Sequence, residues 1–264
     1  MFSHNRFSLA FLSINLIKNT GKNLILLISY LCVLFFLWFA KLIRFLVFCF
    51  ISLSICQQIK ADAVLAWKIA APSVVSIAPT WPGYDNPGFG APPGTAPEGT
   101  GVILSKYGHI LTASHVISKA IEIKVRDISG KEFEAKVLFD DPKTDLAIIK
   151  AKIMTKPIKL ADNLPEIGSD TCLISNSFGL NLSITCGIVS AVNRKNVGFN
   201  QIEDFIQTDA ASNPGSSGGA LIDLNGALIG MMSGIFTKNT DTNAGVNFAI
   251  STDLIKKTIP SVQE

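Results

Sequence analysis

The run Asn213-Pro214-Gly215-Ser216-Ser217-Gly218-Gly219-Ala220 sets serine hydroxyls in a glycine-lined loop. A serine hydroxyl is a poor nucleophile at neutral pH. It attacks a carbonyl only when a nearby base takes its proton and donors receive the negative charge that forms. Glycines let backbone amides turn toward one point and let a substrate approach the chain. The amides of Gly215 and Ser217 are therefore candidate oxyanion donors. Alone, the run suits a flexible Ser/Gly turn equally well, so its partners must come from elsewhere. Beyond residue 63 there are two histidines, His109 and His115. His115 ends the strand-like segment 109–115, where a base can face a cleft. His109, beside Gly108, reads as a turn or surface residue. Asp145 follows Asp141-Pro142-Lys143-Thr144 and opens the apolar run Leu146-Ala147-Ile148-Ile149. A carboxylate at the mouth of a buried strand needs a partner, because an unpaired buried charge is costly. A histidine N–H would serve. Asp140 and Asp141 suit a solvated turn. Together these groups would perform acyl transfer. The chain has neither a Gly-rich phosphate loop nor a metal-spaced His/Cys cluster, so no cofactor and no metal is expected.

The surrounding elements read as β-structure. Residues 64–72 form a short amphipathic helix that turns extended at Ser73–Ala78. Pro79–Gly101 is too rich in Pro and Gly for a helix or a ladder and reads as a loop. From Val102 onward, short β-rich runs recur about every ten residues with Gly, Asn and Asp between them, the pattern of an all-β sandwich or barrel. Gly130-Lys131 separates two alternating strands, and Asn225-Gly226 is a strong hairpin signal. In this β-rich stretch only Thr252–Thr258 looks helical. No internal repeat is visible.

The first 63 residues read as targeting. Asn23–Ala40 is apolar and just long enough to span a bilayer, and Lys41 and Arg44 interrupt it. Phe45–Ile55 suits a signal-peptide core, and Ala61-Asp62-Ala63 supplies a small-x-small cleavage pattern. Two outcomes stay open: cleavage after Ala63 releases a soluble protein, or residues 23–55 remain as a membrane contact. Either way residues 64–264 are exported. The segment before residue 64 carries six Lys/Arg and one acid, which leaves 17 basic and 19 acidic residues, a net charge of −2, in the remainder. The basic balance of the whole chain is thus no argument for nucleic-acid binding. Of five cysteines, Cys172 and Cys186 lie outside the targeting segment. Their midpoint is Gly179, in a probable hairpin loop. They suit either a cross-strand disulfide in an exported protein or two small buried hydrophobes.

The stretches 99–117 around His115, 141–150 around Asp145 and 205–230 around Ser217 resemble the HtrA (Deg) family of trypsin-like serine proteases, as do 177–194 and 246–257. The resemblance covers about residues 64–260 and keeps the His…Asp…Ser order of that fold. It implies an all-β, double antiparallel barrel with short terminal helices: a first barrel over about 64–160 and a second over about 161–264. His115 and Asp145 would come from the first barrel and Ser217 from the second. The family register and the following Gly-Gly favour Ser217 over Ser216 as nucleophile, with Gly215 and Ser217 as the oxyanion hole. In trypsin-like enzymes an acid six positions before the nucleophile selects Lys or Arg. Ala211 stands there, so an apolar preference is expected, in a pocket shaped by Ala211, Ser212, Met232, Ser233, Gly234 and Ile235. Departures from the family pattern are Ser216 for asparagine, and Ser175-Asn176-Ser177-Phe178-Gly179 for Gly-Asn-Pro-Phe-Gly. The sequence ends at Glu264, leaving no room in it for a PDZ module, so activation through one is not expected. The expected partners are polypeptide substrates, unfolded or damaged exported proteins above all, in the periplasm. A membrane-tethered protease with one dedicated substrate and a chaperone-like binder are the other readings. A homotrimer joined through Trp81, Tyr84 and Phe89 is a further expectation.

Overall fold

The computed structural model describes residues 29, 31–32, 34–47, 63–82, 98–235 and 244–259. Tyr84, Phe89, Ala61-Asp62, residues 48–55 of the run Phe45–Ile55 and the side chain of Ile235 lie outside them. The chain divides into two units, Met1–Ile59 and Lys60–Glu264. In the first, residues 34–47 are helical and solvent-exposed. No helix among the described residues is long and apolar enough to cross a membrane.

The second unit starts with a helix over 63–70 and a short 3-10 turn, Ala71–Ser73. Twelve strands follow. The first six are β1 (Val74–Thr80), β2 (Gly99–Ile103), β3 (His109–Ala113), β4 (Glu122–Arg126), β5 (Glu132–Asp141) and β6 (Leu146–Ala151). The rest are β7 (Asp170–Ser175), β8 (Ser183–Arg194), β9 (Phe205–Thr208), β10 (Ala220–Ile222), β11 (Leu228–Ile235) and β12 (Asn247–Ser251). All pair antiparallel and close into two barrels, β1-β2-β3-β6-β5-β4 and β10-β11-β12-β9-β8-β7. Written from β7, the second order is β7-β8-β9-β12-β11-β10, the same path as the first. Closure leaves neither sheet an open edge to template aggregation.

Burial explains why the strands read so clearly. Ile77, Ile103, Ile110, Leu111, Leu146 and Ile149 are fully buried in the first barrel's strands. Leu173, Ile206 and Leu221 belong to a second cluster within the second barrel, while Phe205 and Ile222 pack in the larger cluster with residues of the first. β3 and β6 are buried almost throughout, and β6 opens with the continuous apolar run 146–149, whereas β4 alternates buried and exposed residues. The predicted turn residues sit at the hairpin tips. The Asp223 carboxylate accepts the amides of Asn225 (2.9 Å) and Ala227 (2.8 Å), and Gly226 takes φ 77°. Cys172 and Cys186 are register partners on β7 and β8 and are joined as a disulfide. The helix Thr252–Thr258 is capped by Ser251, whose hydroxyl accepts the amide of Leu254.

Three local expectations change. β1 continues through Pro79 and Thr80, and strand structure resumes at Gly99 in β2, so the ends of the Pro/Gly segment are ordered by pairing with β4 and with β1 respectively. β3 stops at Ala113, because its ladder partner β6 begins opposite, at Leu146. His115 therefore sits not at a strand end but in a one-turn helix, Ser114–Ile117. His109 opens β3 rather than lying in a turn. It is half-buried, Nδ1 lies 3.0 Å from Ser105 Oγ, and burial followed by nearby Lys150 lowers its pKa.

Candidate active site

Asp145 is the first residue of the site to build, because its backbone is unusual. It takes φ 60° between Thr144 and Leu146. That left-handed conformation costs a non-glycine residue about 1–2 kcal/mol, and Asp is among the few that adopt it. The sharp turn brings its polar groups back over the end of β3. Its carbonyl accepts the Ser114 amide (3.1 Å), and its carboxylate accepts the His115 amide through Oδ1 (2.9 Å). The His115 ring follows: Nδ1 lies 3.0 Å from Oδ1 and 2.9 Å from Oδ2 of Asp145. Ser233, on β11 of the second barrel, donates its hydroxyl to Oδ2 at 2.6 Å. An ionised carboxylate only accepts, so these contacts make Nδ1 the protonated ring nitrogen and leave the lone pair on Nε2. The Asp145 side chain is 9% exposed and the imidazole 49%. The carboxylate is thus shielded, while the ring faces solvent.

The serine loop is held from two sides. Thr100 donates its amide to Ser217 O (2.8 Å) and its hydroxyl to Gly215 O (2.8 Å). Met232 exchanges backbone bonds with the loop through Gly218 N and Gly219 O. Gly215 takes φ 92°, and a β-carbon there would collide with the carbonyl oxygen of Asn176. Only glycine fits that spot. Phe178 donates its amide to Pro214 O at 2.7 Å. A trans peptide points its C=O and N–H in opposite directions, so the Gly215 N–H is turned away from Phe178. Neither Gly215 N nor Ser217 N donates to a protein acceptor among the described residues. Both amides are available to an incoming anion.

A cleft of about 520 Å³ contains His115, Asp145, Phe199, Asn200, Ser233 and Gly234. A smaller pocket of about 180 Å³ is lined by Ser212, Asn213, Pro214, Ser217, Met232, Ser233 and Gly234. Ser233 and Gly234 line both, so the histidine and the serine open onto adjoining space. No hydrogen bond joins Ser217 Oγ to His115 in this structure; such bonds are often long before substrate arrives.

The region 99–231 matches the trypsin-like peptidase domain, half of the whole chain. The chain belongs to the trypsin-like peptidase family. It is 44% identical over 163 residues to the periplasmic serine endoprotease DegP of Salmonella typhimurium, covering 60% of this chain and 34% of that protein. Over 166 residues it is 40% identical to a probable DegP-like periplasmic serine endoprotease of Chlamydia trachomatis, covering 62% and 33%. It thus spans about a third of the length of these relatives. Among solved structures, the HtrA-type protease AlgW with a tripeptide matches at TM-score 0.67 and 38% identity, covering 76% of this chain and 64% of that one. The serine endoprotease from Yersinia pestis matches at TM-score 0.62 and 34% identity, covering 76% and 66%.

The remaining expected pocket residues can be placed on this trypsin-like frame. Ser212 and Met232 line the small pocket and are almost fully buried. Gly234 borders it, and a β-carbon there would meet the Phe199 ring at 3.4 Å, an ordinary contact distance. Ala211 does not line it; its carbonyl accepts the Thr185 hydroxyl (2.7 Å) instead. Ile235 belongs to β11 and pairs with Asn247. Sequence reading placed Ser233 in the pocket and missed its bond to Asp145. It also missed Thr100 and Phe178 as anchors of the serine loop. No spacing signals these, since all three contacts cross between distant segments.

Proposed function

We propose that this chain is a serine endopeptidase with Ser217 as nucleophile, His115 as general base and Asp145 orienting the base. The observation that carries this reading is the chain of contacts Ser233–Asp145–His115 beside a serine whose neighbouring amides are free. Ser217 Oγ attacks the peptide carbonyl while His115 Nε2 takes its proton. The tetrahedral oxyanion is received by the amides of Gly215 and Ser217. His115 passes the proton to the leaving amine, and the peptide C–N bond breaks. Water, deprotonated by the same imidazole, then hydrolyses the acyl-enzyme. Asp145 keeps Nδ1 protonated throughout and stabilises the imidazolium.

The small pocket has no charged lining residue. That supports cleavage after apolar residues and argues against Lys or Arg. Unfolded exported proteins are the substrates this reading favours, and the periplasm is the compartment that the names of the relatives give. Residues 34–47, helical with exposed apolar side chains such as Phe35, Trp38 and Phe45, support a second reading, a protease tethered to the inner membrane through its N-terminal segment. The N-terminal sequence of the exported protein decides between them: a start at Val64 means release, and an intact start means tethering. Assembly through Trp81 is a lesser proposal, tested by sedimentation.

The decisive experiment uses a denatured protein substrate and a fluorophosphonate probe. Wild type should cut the substrate, with sites mapping after apolar residues, and take up the probe. Ser217→Ala should do neither. Undiminished labelling of Ser217→Ala would move the nucleophile elsewhere.

A further inference from the structure

Ser175, Ser177 and Ser216 are among the residues at which the sequence differs from the HtrA pattern it resembles, and the structure brings their hydroxyls together. Ser216 Oγ lies 3.0 Å from Ser175 Oγ and 2.9 Å from Ser177 Oγ, and Ser175 Oγ lies 3.2 Å from Ser177 Oγ. Ser216 Oγ also accepts the amide of Asn213 at 3.2 Å. A hydroxyl has one proton and two lone pairs. Around a closed triangle each serine donates once and accepts once, and the Asn213 amide takes the second lone pair of Ser216. Ser216 is then saturated within a wall where Ser175 and Ser216 are buried. A ring of this kind polarises its members in one sense and holds better than separate pairs.

Its position gives the ring a task. Asn213 and Ser216 also exchange a backbone bond, Ser216 N to Asn213 O at 2.9 Å. The two bonds close a four-residue turn whose middle is the Pro214–Gly215 peptide, the one that offers the oxyanion amide. The other two serines flank Asn176 and precede Phe178, whose amide holds Pro214 O. The three hydroxyls therefore tie the turn containing the oxyanion peptide to the turn that sets its direction. We propose that Ser175, Ser177 and Ser216 form a positioning cluster that keeps the Gly215 N–H aimed at the developing oxyanion, so that the hole is formed before substrate binds. None of the three touches the reacting atoms. The inference rests on the serine endopeptidase reading.

The test compares full-length wild type with Ser216→Ala, Ser177→Ala and Ser175→Ala/Ser216→Ala on a peptide substrate and on a peptide aldehyde. The aldehyde gains an oxyanion on attack by Ser217, whereas a carboxamide of the same sequence does not. Ser216→Ala should lower kcat about 10-fold, with KM unchanged within about twofold. Aldehyde affinity should fall by a like factor, and carboxamide affinity should hold. Opening the ring twice should cost little more than opening it once. Ser177, half-exposed, provides a variant that folds even if Ser216→Ala does not, and it should show the same split in weaker form. An unchanged kcat in both single variants, a change confined to KM or to melting temperature, or equal losses for aldehyde and carboxamide would overturn the proposal. Wild type inert toward peptide and fluorophosphonate alike would instead overturn the endopeptidase reading beneath it.

Discussion

The first barrel presents the groups proposed to react as side chains on the last residue before β6 and in the single turn of helix after β3. The second presents a loop between β9 and β10, and what it offers the cleft is one hydroxyl and two backbone amides. The paths of the two barrels are the same, so the contrast lies in the connections. In the first barrel, Asp145 is fixed by three donors to its carboxylate, one of them supplied across the cleft by Ser233. In the second, the amides are aimed by glycine conformation and by bonds to backbone carbonyls. One side depends on which side chains are present, and the other on how peptide planes are turned.

That contrast makes different substitutions damaging on the two sides. On the side-chain half, Asp145→Asn keeps the shape but offers an amide where Nδ1–H needs an acceptor, so the wrong tautomer is favoured. The expected loss in kcat is about 10^4-fold, read by steady-state kinetics on a peptide substrate, and a loss under tenfold would break the assignment of roles. On the backbone half, Gly215→Ala removes no functional group, yet its β-carbon meets the Asn176 carbonyl and the peptide must turn. One oxyanion donor is lost, for roughly 10^2–10^3-fold in kcat, with fluorophosphonate labelling slowed in step. If Gly215→Ala were harmless, the amide would not be a donor and the contrast would collapse.

The smallest effect concerns a loop of the second barrel that reaches the first. Between β8 and β9, the carboxylate of Glu203 accepts the amides of Val197, Gly198, Phe199 and Asn200 at 2.6–3.0 Å. The same loop reaches the turn before Asp145, through Ile202 N to Lys143 O (3.0 Å) and Asn200 Nδ2 to Thr144 O (3.3 Å). Burial pushes the pKa of Glu203 up, the backbone donors pull it down, and the net direction is down. Its folded pKa thus lies below its unfolded one. The stabilisation is present above the ordinary glutamate range and is lost as pH falls through the lowered value. Hydrogen exchange of residues 197–200 should accelerate in that acid window, and Glu203→Gln should abolish the pH dependence. An unchanged acid profile in Glu203→Gln would detach this loop from the carboxylate.

Much of the molecule was legible before any coordinates. Buried strands such as β6 and β10 announce themselves by uninterrupted apolar runs, and the hairpin at Asn225-Gly226 by its turn chemistry. The repeated strand path was invisible, because two barrels can share a topology without sharing a single side chain. His115 was read as the base candidate and placed at the end of a strand, since nothing local reveals where the ladder partner of β3 begins. The contrast between the barrels governs legibility as well. Asp145 is informative as a residue type, whereas the direction of the Pro214–Gly215 peptide is no property of a residue type at all.

From the order of residues alone came the chemical inventory: an alcohol in a glycine-lined loop, an imidazole, a carboxylate at the mouth of an apolar strand, and enough alternating segments to enclose them. Residue types carry pKa, nucleophilicity and conformational freedom, and those are readable in one dimension. Folding alone decided that Ser233 would secure Asp145 from the opposite barrel, that Phe178 would turn the amide of Gly215 outward, and that three serines from two segments would bring their hydroxyls within hydrogen-bond distance. Hydrogen bonds depend on distance and angle to within a few tenths of an ångström, and segments 40 or 90 residues apart acquire that relation only once both barrels have closed.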